Sequence, residues 1–192
     1  MLRRYLSIAF VSLILAEAMM FPSFSSAETR FQKSVAEYRM PDVWLINQEG
    51  KKIRFKQLVE ADRPVVVDFI YATCTTICPV LSVGYVNLQS KLTDPKVKPV
   101  LVSITIDPEN DTPKKMKEYL KRYNARPGWE FLTGTRADID AVMKAFNAYI
   151  PDKMSHYPLN FIRSPKDGKW VRLYGIMSSR EFMSEYMSVA GK

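Results

Sequence analysis

The chain has 192 residues, 47% of them hydrophobic, and a formal net charge of +8 at pH 7. This length is enough for one sizeable hydrophobic core and favours a single globular domain. The basic residues lie in short dispersed groups, such as "KKIRFK" and "KKMKEYLKR", and do not form one stripe with interleaved aromatic residues, which argues against a nucleic-acid partner. With seven glycines and one histidine, the chain has no Gly-rich phosphate loop and no recognisable Ser-His-Asp triad.

Residues 1–27 have the order of a secretory signal peptide. Two arginines precede an apolar run from Tyr5 to Leu15, and the small residues "SSA" come directly before Glu28, which predicts cleavage at that point. An uncleaved membrane anchor is the alternative, because Tyr5 to Phe24 approaches the roughly 20 residues that a spanning helix needs. In either case we expect the remainder to be exported, to the periplasm or the outer face of the cytoplasmic membrane, where disulfides are permitted.

The first half of the exported part predicts a hairpin, a strand, a helix and a second strand. Residues 28–39 are polar and are predicted to be flexible, so the domain is placed at residues 40–192. "DVWLINQEGKKIRF" predicts an N-terminal hairpin. "RPVVVDFIYA" predicts a strand that is buried on both faces and central in its sheet. "PVLSVGYVNLQSKL" then predicts a helix beginning near Pro79, and "VKPVLVSITID" predicts a second buried strand.

The second half predicts three more helices and three more strands. "PENDTPKKMKEYLKRY" is typical of a helix, with Asp111 or Thr112 as N-cap and Pro113 as first residue. "WEFLTG" predicts a short strand and "RADIDAVMKAFNAYI" a helix. "YPLNFIRSPKDGKWVRLYG" predicts an antiparallel hairpin, and "SSREFMSEYMSVA" a last helix. The order predicts an α/β, thioredoxin-like fold, with helices on both faces of a central mixed sheet and an added N-terminal hairpin.

Both cysteines of the chain lie in "FIYATCTTICPVLS", where the buried strand gives way to a helix. A spacing of four places Cys74 and Cys78 on one helical face, with Cβ atoms about 5 to 6 Å apart. Sulfurs so placed share one metal ion or, after modest adjustment, form a disulfide, and the helix N-terminus favours the reactive thiolate. In open α/β sheets the working groups gather at such strand ends. The pair is therefore a candidate metal site or redox-active dithiol, with a structural disulfide as the simplest alternative.

His156 is the only histidine in the chain and comes just before the strand expected beside the central one. In the thioredoxin-like order, the loop before that strand lies against the cysteine turn, so two thiolates and one imidazole converge. Soft sulfur with imidazole favours Cu(I), also suits Cu(II) or zinc, and argues against magnesium or calcium. An ordinary surface or core histidine is the alternative.

Two other residues are weaker candidates near this site. Met154 lies two residues before His156, and a methionine sulfur there is a candidate axial metal ligand. Asp107 follows the second buried strand and either orients a metal ligand or closes a turn. We favour the turn for Asp107.

Four separated elements resemble the Sco/SenC family of copper-binding thioredoxin-like proteins. They are "TCTTICP", "VSITIDPENDTP", "FLTGTRADIDAVMKAF", and a single histidine before a strand and a glycine-containing hairpin. The resemblance covers most of residues 40–190 and implies that Cys74, Cys78 and His156 bind copper. It further implies a role in assembling the Cu(A) centre of cytochrome c oxidase, as copper donor or thiol reductant. Many members carry acidic residues where this chain has Thr76 and Ser155.

The leading hypothesis is an exported metallochaperone that holds one copper ion, as Cu(I) or Cu(II), and passes it to a copper enzyme such as a cytochrome c oxidase subunit. The alternative is an extracytoplasmic thiol-disulfide oxidoreductase, working with other thiol proteins, in which Cys74 attacks and Cys78 resolves. His156 separates the two hypotheses, because metal binding requires the imidazole and dithiol chemistry does not. A peroxide-reducing protein and a disulfide-stapled domain are the weaker alternatives.

Overall fold

A computed structural model describes residues 31–191 of the chain. Within them lie eight strands: β1 (Phe31–Ala36), β2 (Trp44–Asn47), β3 (Lys52–Arg54), β4 (Val65–Ile70), β5 (Val100–Thr105), β6 (Trp129–Thr133), β7 (Leu159–Arg163) and β8 (Trp170–Gly175). The α-helices of the same residues are α1 (Phe55–Val59), α2 (Ile77–Lys91), α3 (Pro113–Arg122), α4 (Arg136–Ala145) and α5 (Ser179–Ala190), and a 3₁₀ turn spans Lys153–Ser155.

All eight strands join one mixed sheet in the order β1-β8-β7-β4-β5-β6-β2-β3. The β4, β5 and β6 strands are parallel, and β7 lies antiparallel to β4 on its other side. Every residue of β4 and β5 is buried, as expected for apolar strands covered on both faces. The predicted central strand, mixed sheet and N-terminal hairpin of β2 and β3 are confirmed.

Helices cover both faces of the sheet. Asp68 and Phe69 are consecutive in β4 and therefore point to opposite faces. The Phe69 ring contacts Phe146, directly after α4, with ring centroids 5.6 Å apart. Asp68 lies beside the hydroxyl of Tyr85 in α2, and that ring stacks on Phe182 of α5 at 6.2 Å. The α4 helix is thus on one face, and α2 and α5 are on the other.

The prediction of a flexible segment at residues 28–39 is wrong for Phe31–Ala36, which form the edge strand β1 against β8. Most β1 side chains are exposed, so the strand lacks the apolar alternation that identifies strands in a sequence. Backbone pairing with β8 and an ion pair between Lys33 and Glu185, with Nζ and Oε2 2.5 Å apart, hold it in place. The folded domain therefore begins before residue 40.

The signal peptide or anchor predicted for residues 1–27 lies outside the described residues. Within residues 31–191, no helix combines the length and the apolar content needed to cross a membrane. The whole eight-stranded sheet and the core around it are formed by residues 31–191.

Candidate metal centre

The candidate metal centre lies at the edge of the sheet where β4 and β5 end. Cys74 is in the loop after β4, and Cys78 is the second residue of α2. His156 follows the 3₁₀ turn and comes three residues before β7 begins. Because β7 runs antiparallel to β4, pairing Asn160 with Asp68, the residues before β7 return to the cysteine turn. Sheet topology thus brings together residues from distant parts of the chain.

The three side chains meet with their donor atoms facing one another. Nε2 of His156 is 3.3 Å from Sγ of Cys78 and 3.9 Å from Sγ of Cys74. All three donor atoms lie within 4.8 Å of each other, and both cysteines are free thiols. Bonds from zinc to thiolate sulfur or imidazole nitrogen are about 2.0 to 2.3 Å long, so donors of one shared ion lie up to about 4.5 Å apart. Small shifts therefore suffice for one ion to be bound by all three.

The imidazole is oriented by its other nitrogen. Nδ1 of His156 lies 2.8 Å from the backbone carbonyl oxygen of Lys153, so Nδ1 carries the proton that it donates. Nε2 is then left with the lone pair that faces the sulfurs, the arrangement that fixes metal-binding histidines in proteins. Burial lowers the pKa of His156, partly offset by the bond to the Lys153 carbonyl. The histidine is thus held in its neutral, metal-binding form.

The two thiols have different electrostatic surroundings. Burial acts to raise the pKa of Cys74, but hydrogen bonds from the Cys78 backbone N–H, the Thr76 hydroxyl, the Cys78 thiol and the Thr76 N–H outweigh it and lower the pKa to about 7. Burial raises the pKa of Cys78, and the hydrogen bond to Cys74 raises it further. Cys78 is fully buried, whereas Cys74 is 6% exposed. Cys74 is therefore the thiol that ionises first.

Comparison with known proteins identifies the family. Residues 32–188 match the family model described as SCO1/SenC. The chain belongs to the SCO1/SenC family. The SCO1 protein homolog of Bacillus subtilis (strain 168) is 30% identical over 150 residues, which cover 74% of this chain and 76% of the relative. The resemblance inferred from the four sequence elements is confirmed.

Solved SCO1/SenC structures have the same fold. BsSco, described as a member of the Sco family of cytochrome c oxidase assembly proteins with a disulfide switch, superposes with a TM-score of 0.67 at 27% identity. That match covers 83% of this chain and 98% of BsSco. Bradyrhizobium japonicum ScoI, solved with copper bound, superposes with a TM-score of 0.63 at 25% identity, covering 80% of this chain and 99% of ScoI. These matches confirm the thioredoxin-like fold.

The loop that carries Cys74 in this SCO1/SenC chain is clamped through the backbone of Ala72. The Ala72 N–H donates to Oδ2 of Asp111 at 3.0 Å, and the Ala72 carbonyl accepts from Arg122 at 3.1 Å. Asp111 is 1% exposed and also accepts the hydroxyl of Thr105 at 2.6 Å. Asp111 therefore ties the end of β5 to the loop after β4, a role that its sequence context does not indicate.

Two polar residues after β5, Thr112 and Asp107, have roles between which the sequence left alternatives open. Thr112 caps α3, because its hydroxyl oxygen accepts a backbone N–H of the first turn at 3.4 Å. Asp107 closes the turn, as we favoured, since its carbonyl accepts from the N–H groups of Asn110 and Asp111. Its carboxylate also accepts from Nζ of Lys153 at 2.5 Å. Asp107 thus closes the turn and also contacts the segment that carries His156.

Met154, a weaker candidate for an axial ligand, lies beside Tyr71 at the edge of the site. Its side chain is 73% exposed, and its sulfur is 3.7 Å from the hydroxyl of Tyr71. The Tyr71 ring packs edge-on against the His156 ring, with centroids 5.1 Å apart. Tyr71, the residue directly after β4, therefore lines the site.

Thr76 and Ser155, the residues beside the cysteines and the histidine, differ in their contacts. The Thr76 hydroxyl is 3.5 Å from Sγ of Cys74, while Ser155 is exposed. Among residues 31–191, the grouped donors are two thiols and one imidazole, with no carboxylate in the group. The donor set is therefore soft, with no acidic side chain to attract a hard cation.

Proposed function

We propose that this SCO1/SenC chain is a copper-binding metallochaperone that uses Cys74, Cys78 and His156 as ligands. The observation that carries the proposal is the convergence of two free thiols and Nε2 of one imidazole within 4.8 Å. Two sulfurs and one imidazole nitrogen form a donor set suited to copper. The copper-bound relative from Bradyrhizobium japonicum supports this choice of metal. The recipient is a copper enzyme such as the Cu(A) site of cytochrome c oxidase, since BsSco is described as an oxidase assembly protein.

The chain's residues prepare the site for binding and release. Cys74 supplies a thiolate near neutral pH because its pKa is lowered to about 7, while Cys78 must give up its proton when it becomes a ligand. His156 needs no deprotonation, since burial lowers its pKa and the proton of the neutral ring is on Nδ1, not on Nε2. On transfer, incoming thiolates or imidazoles replace the ligands one at a time. The half-buried His156 is more accessible to exchange than the fully buried Cys78.

A second candidate function, thiol-disulfide exchange, is favoured by the unequal thiols. The Cys74 thiolate would attack a target disulfide, forming a mixed disulfide and releasing one target thiolate. Cys78, after losing its proton, would attack Sγ of Cys74 and release the second target thiolate. The target gains two electrons, and the chain is left with a Cys74–Cys78 disulfide. The disulfide switch ascribed to BsSco supports thiol-disulfide exchange as a second activity beside copper binding.

We place this work outside the cytoplasm, where the predicted signal or anchor would deliver the domain. An uncleaved anchor would keep the site near the membrane that holds the oxidase. Detection of the amino terminus at Glu28 in the exported protein supports cleavage, and an intact N-terminal segment in the membrane fraction supports the anchor.

The test is an anaerobic copper titration of the reduced chain lacking residues 1–27, in competition with a Cu(I) chelator. We expect wild type to bind one copper, and Cys74→Ala and His156→Ala each to lose well over tenfold in affinity, or more than about 1.4 kcal/mol. Ser155→Ala, an exposed neighbour, is the matched control and should bind like wild type. If His156→Ala also binds like wild type, or wild type binds no copper, the chaperone proposal fails and thiol-disulfide exchange becomes the leading function.

A further inference from the structure

Lys153 contacts three residues around the candidate metal centre that are distant from one another in sequence. Its Nζ is 2.5 Å from Oδ2 of Asp107 and 5.4 Å from the centre of the Tyr71 ring. Its backbone carbonyl oxygen is the acceptor, at 2.8 Å, for Nδ1 of His156. One residue therefore touches the end of β5, the end of β4 and the imidazole.

Asp107 is a rigid partner for this lysine. Its side chain is 6% exposed, and its second carboxylate oxygen accepts from Nδ2 of Asn110 at 2.9 Å. Its backbone N–H donates to the hydroxyl of Thr105 at 2.9 Å. Thr105 is paired with Ile70 at the ends of the two central strands. Asp107 is therefore fixed relative to the loop that carries the cysteines.

The segment that carries His156 has few other anchors. Residues 146–158 contain no α-helix or strand, only the 3₁₀ turn Lys153–Ser155, and turns of this length have poor hydrogen-bond geometry of their own. The backbone bonds from Ser155 to Asp152 and from His156 to Lys153 are internal to the turn. Contacts to the rest of the domain must therefore set where the turn lies. The Gly175 N–H donates to the carbonyl of Pro158 at 2.9 Å on one side, and within the turn itself Lys153 forms an ion pair with the nearly buried carboxylate of Asp107.

We propose that Lys153 is a positioning residue for the metal centre. The ion pair with Asp107 fixes the Lys153 backbone, and the carbonyl of Lys153 then holds His156 with its proton on Nδ1 and Nε2 toward the thiols. The consequence for copper rests on the proposed function, whereas the effect on the imidazole does not. Lys153 thus acts on the site through His156 and touches no metal itself.

The first arm of the test uses the metal-free chain. Because the chain has a single histidine, ¹⁵N imidazole NMR gives one unambiguous pair of ring-nitrogen signals. We expect wild type to show a protonated Nδ1 and an unprotonated Nε2. Lys153→Met removes the ammonium group but keeps side-chain length, and its two signals should move toward the averaged values of exchanging tautomers.

Matched variants separate charge from packing. Lys153→Arg keeps the charge and should retain the wild-type signals, whereas Asp107→Asn removes the other partner and should behave like Lys153→Met. Lys166→Met removes an exposed ammonium group in the turn between β7 and β8 and should change nothing. Wild-type signals in both Lys153→Met and Asp107→Asn, with folding verified by circular dichroism, would overturn the proposal.

The second arm measures copper affinity in the same variants. We expect Lys153→Met and Asp107→Asn to bind Cu(I) about tenfold more weakly than wild type, about 1.4 kcal/mol, while Lys153→Arg and Lys166→Met stay within about threefold. Failure of wild type to bind copper would remove the proposed function, yet the NMR arm would still decide the role of Lys153. Unchanged copper affinity alongside altered NMR signals would overturn the claim that this positioning matters for the metal.

Discussion

The two halves of the candidate metal centre are held by different kinds of contact. The cysteine half follows β4, whose residues are all buried, and its loop is clamped at Ala72 by Asp111 and Arg122. The histidine half lies in an irregular segment, where the Lys153 carbonyl and the Tyr71 ring contact the imidazole and the Lys153 side chain pairs with Asp107. Burial and hydrogen bonds to two side chains thus fix the thiol loop, while the imidazole depends on one carbonyl, one ring contact and a partly exposed ion pair.

This difference suits a protein that must both hold and release a metal ion. A rigid sulfur pair keeps the same geometry in the loaded and empty states, which lowers the reorganisation needed for binding. A less firmly held imidazole is the part of the site that can move aside when a recipient supplies a new ligand. We therefore expect substitutions of the residues that hold the cysteine half to change stability more than substitutions of the residues that hold the histidine half.

The largest effect should come from Asp68, beneath the cysteine half. Its side chain is fully buried, with the hydroxyls of Ser103 and Tyr85 beside the carboxyl group. Burial raises the pKa of Asp68 to about 7, partly offset by the hydroxyls of Ser103 and Tyr85. Between about pH 4 and pH 7 the folded chain binds more protons than the unfolded chain, so stability falls as pH rises.

Asp68→Asn should remove this loss of stability with rising pH. The pKa shift corresponds to at most about 4 kcal/mol, so the variant should be more stable than wild type at pH 8 by up to that amount. Urea unfolding at pH 5 and pH 8 measures it, with Asp167→Asn in an exposed turn as control. Parallel pH profiles for wild type and Asp68→Asn would show that the buried carboxyl does not behave as described.

Asp111→Ala should have the next largest effect, a loss of stability in the cysteine half. It leaves the Ala72 N–H and the Thr105 hydroxyl without their acceptor, and we expect a loss of about 2 to 4 kcal/mol in the free energy of unfolding. Asp152→Ala, in the histidine half, removes only an exposed cap bond to the Met154 N–H and should cost about 1 kcal/mol or less. If urea unfolding showed the same loss of unfolding free energy in Asp111→Ala and Asp152→Ala, the proposed difference between the two halves would be wrong.

Thr76→Val should have a smaller effect, on thiol reactivity. The Thr76 hydroxyl is one of the groups that lower the pKa of Cys74, so its removal should raise that pKa and reduce thiolate at pH 6.5. We expect iodoacetamide to react with Cys74 about two- to fivefold more slowly at that pH. Thr75→Val, at the exposed neighbouring position, is the control. An unchanged rate profile would mean that backbone N–H groups alone set the thiolate.

Met154→Leu should have the smallest effect. The Met154 side chain is exposed, and its sulfur contacts Tyr71, so we expect copper affinity to stay within about twofold of wild type, about 0.4 kcal/mol. The competition titration described above measures it. A loss of tenfold or more would assign the methionine sulfur as a further ligand.

Much of the fold was predictable because its central elements carry local signals. The apolar runs of β4 and β5 indicated buried strands, and Pro113 after Thr112 marked the start of α3. The meeting of Cys74, Cys78 and His156 followed from element order, since the thioredoxin-like arrangement brings the loop before β7 to the end of β4. Local patterns and topology therefore sufficed to name the residues that meet.

What the sequence did not predict depends on pairing between distant segments. The β1 strand is mostly exposed and exists because β8 offers its backbone as a partner. The bonds from Asp111 to Ala72 and from Lys153 to Asp107 join residues 39 and 46 positions apart. Such contacts leave no periodic trace in the sequence, so the partners of Ala72 and Lys153 were not predicted, although the three side chains that meet at the site were.

The most direct test of the central claim is X-ray absorption at the copper edge of the Cu(I)-loaded chain lacking residues 1–27. We expect two sulfur neighbours and one imidazole nitrogen at about 2.0 to 2.3 Å, with the imidazole signal lost in His156→Ala and one sulfur lost in Cys74→Ala. A copper environment without sulfur, or one that is identical in wild type and His156→Ala, would contradict a site built from these three residues.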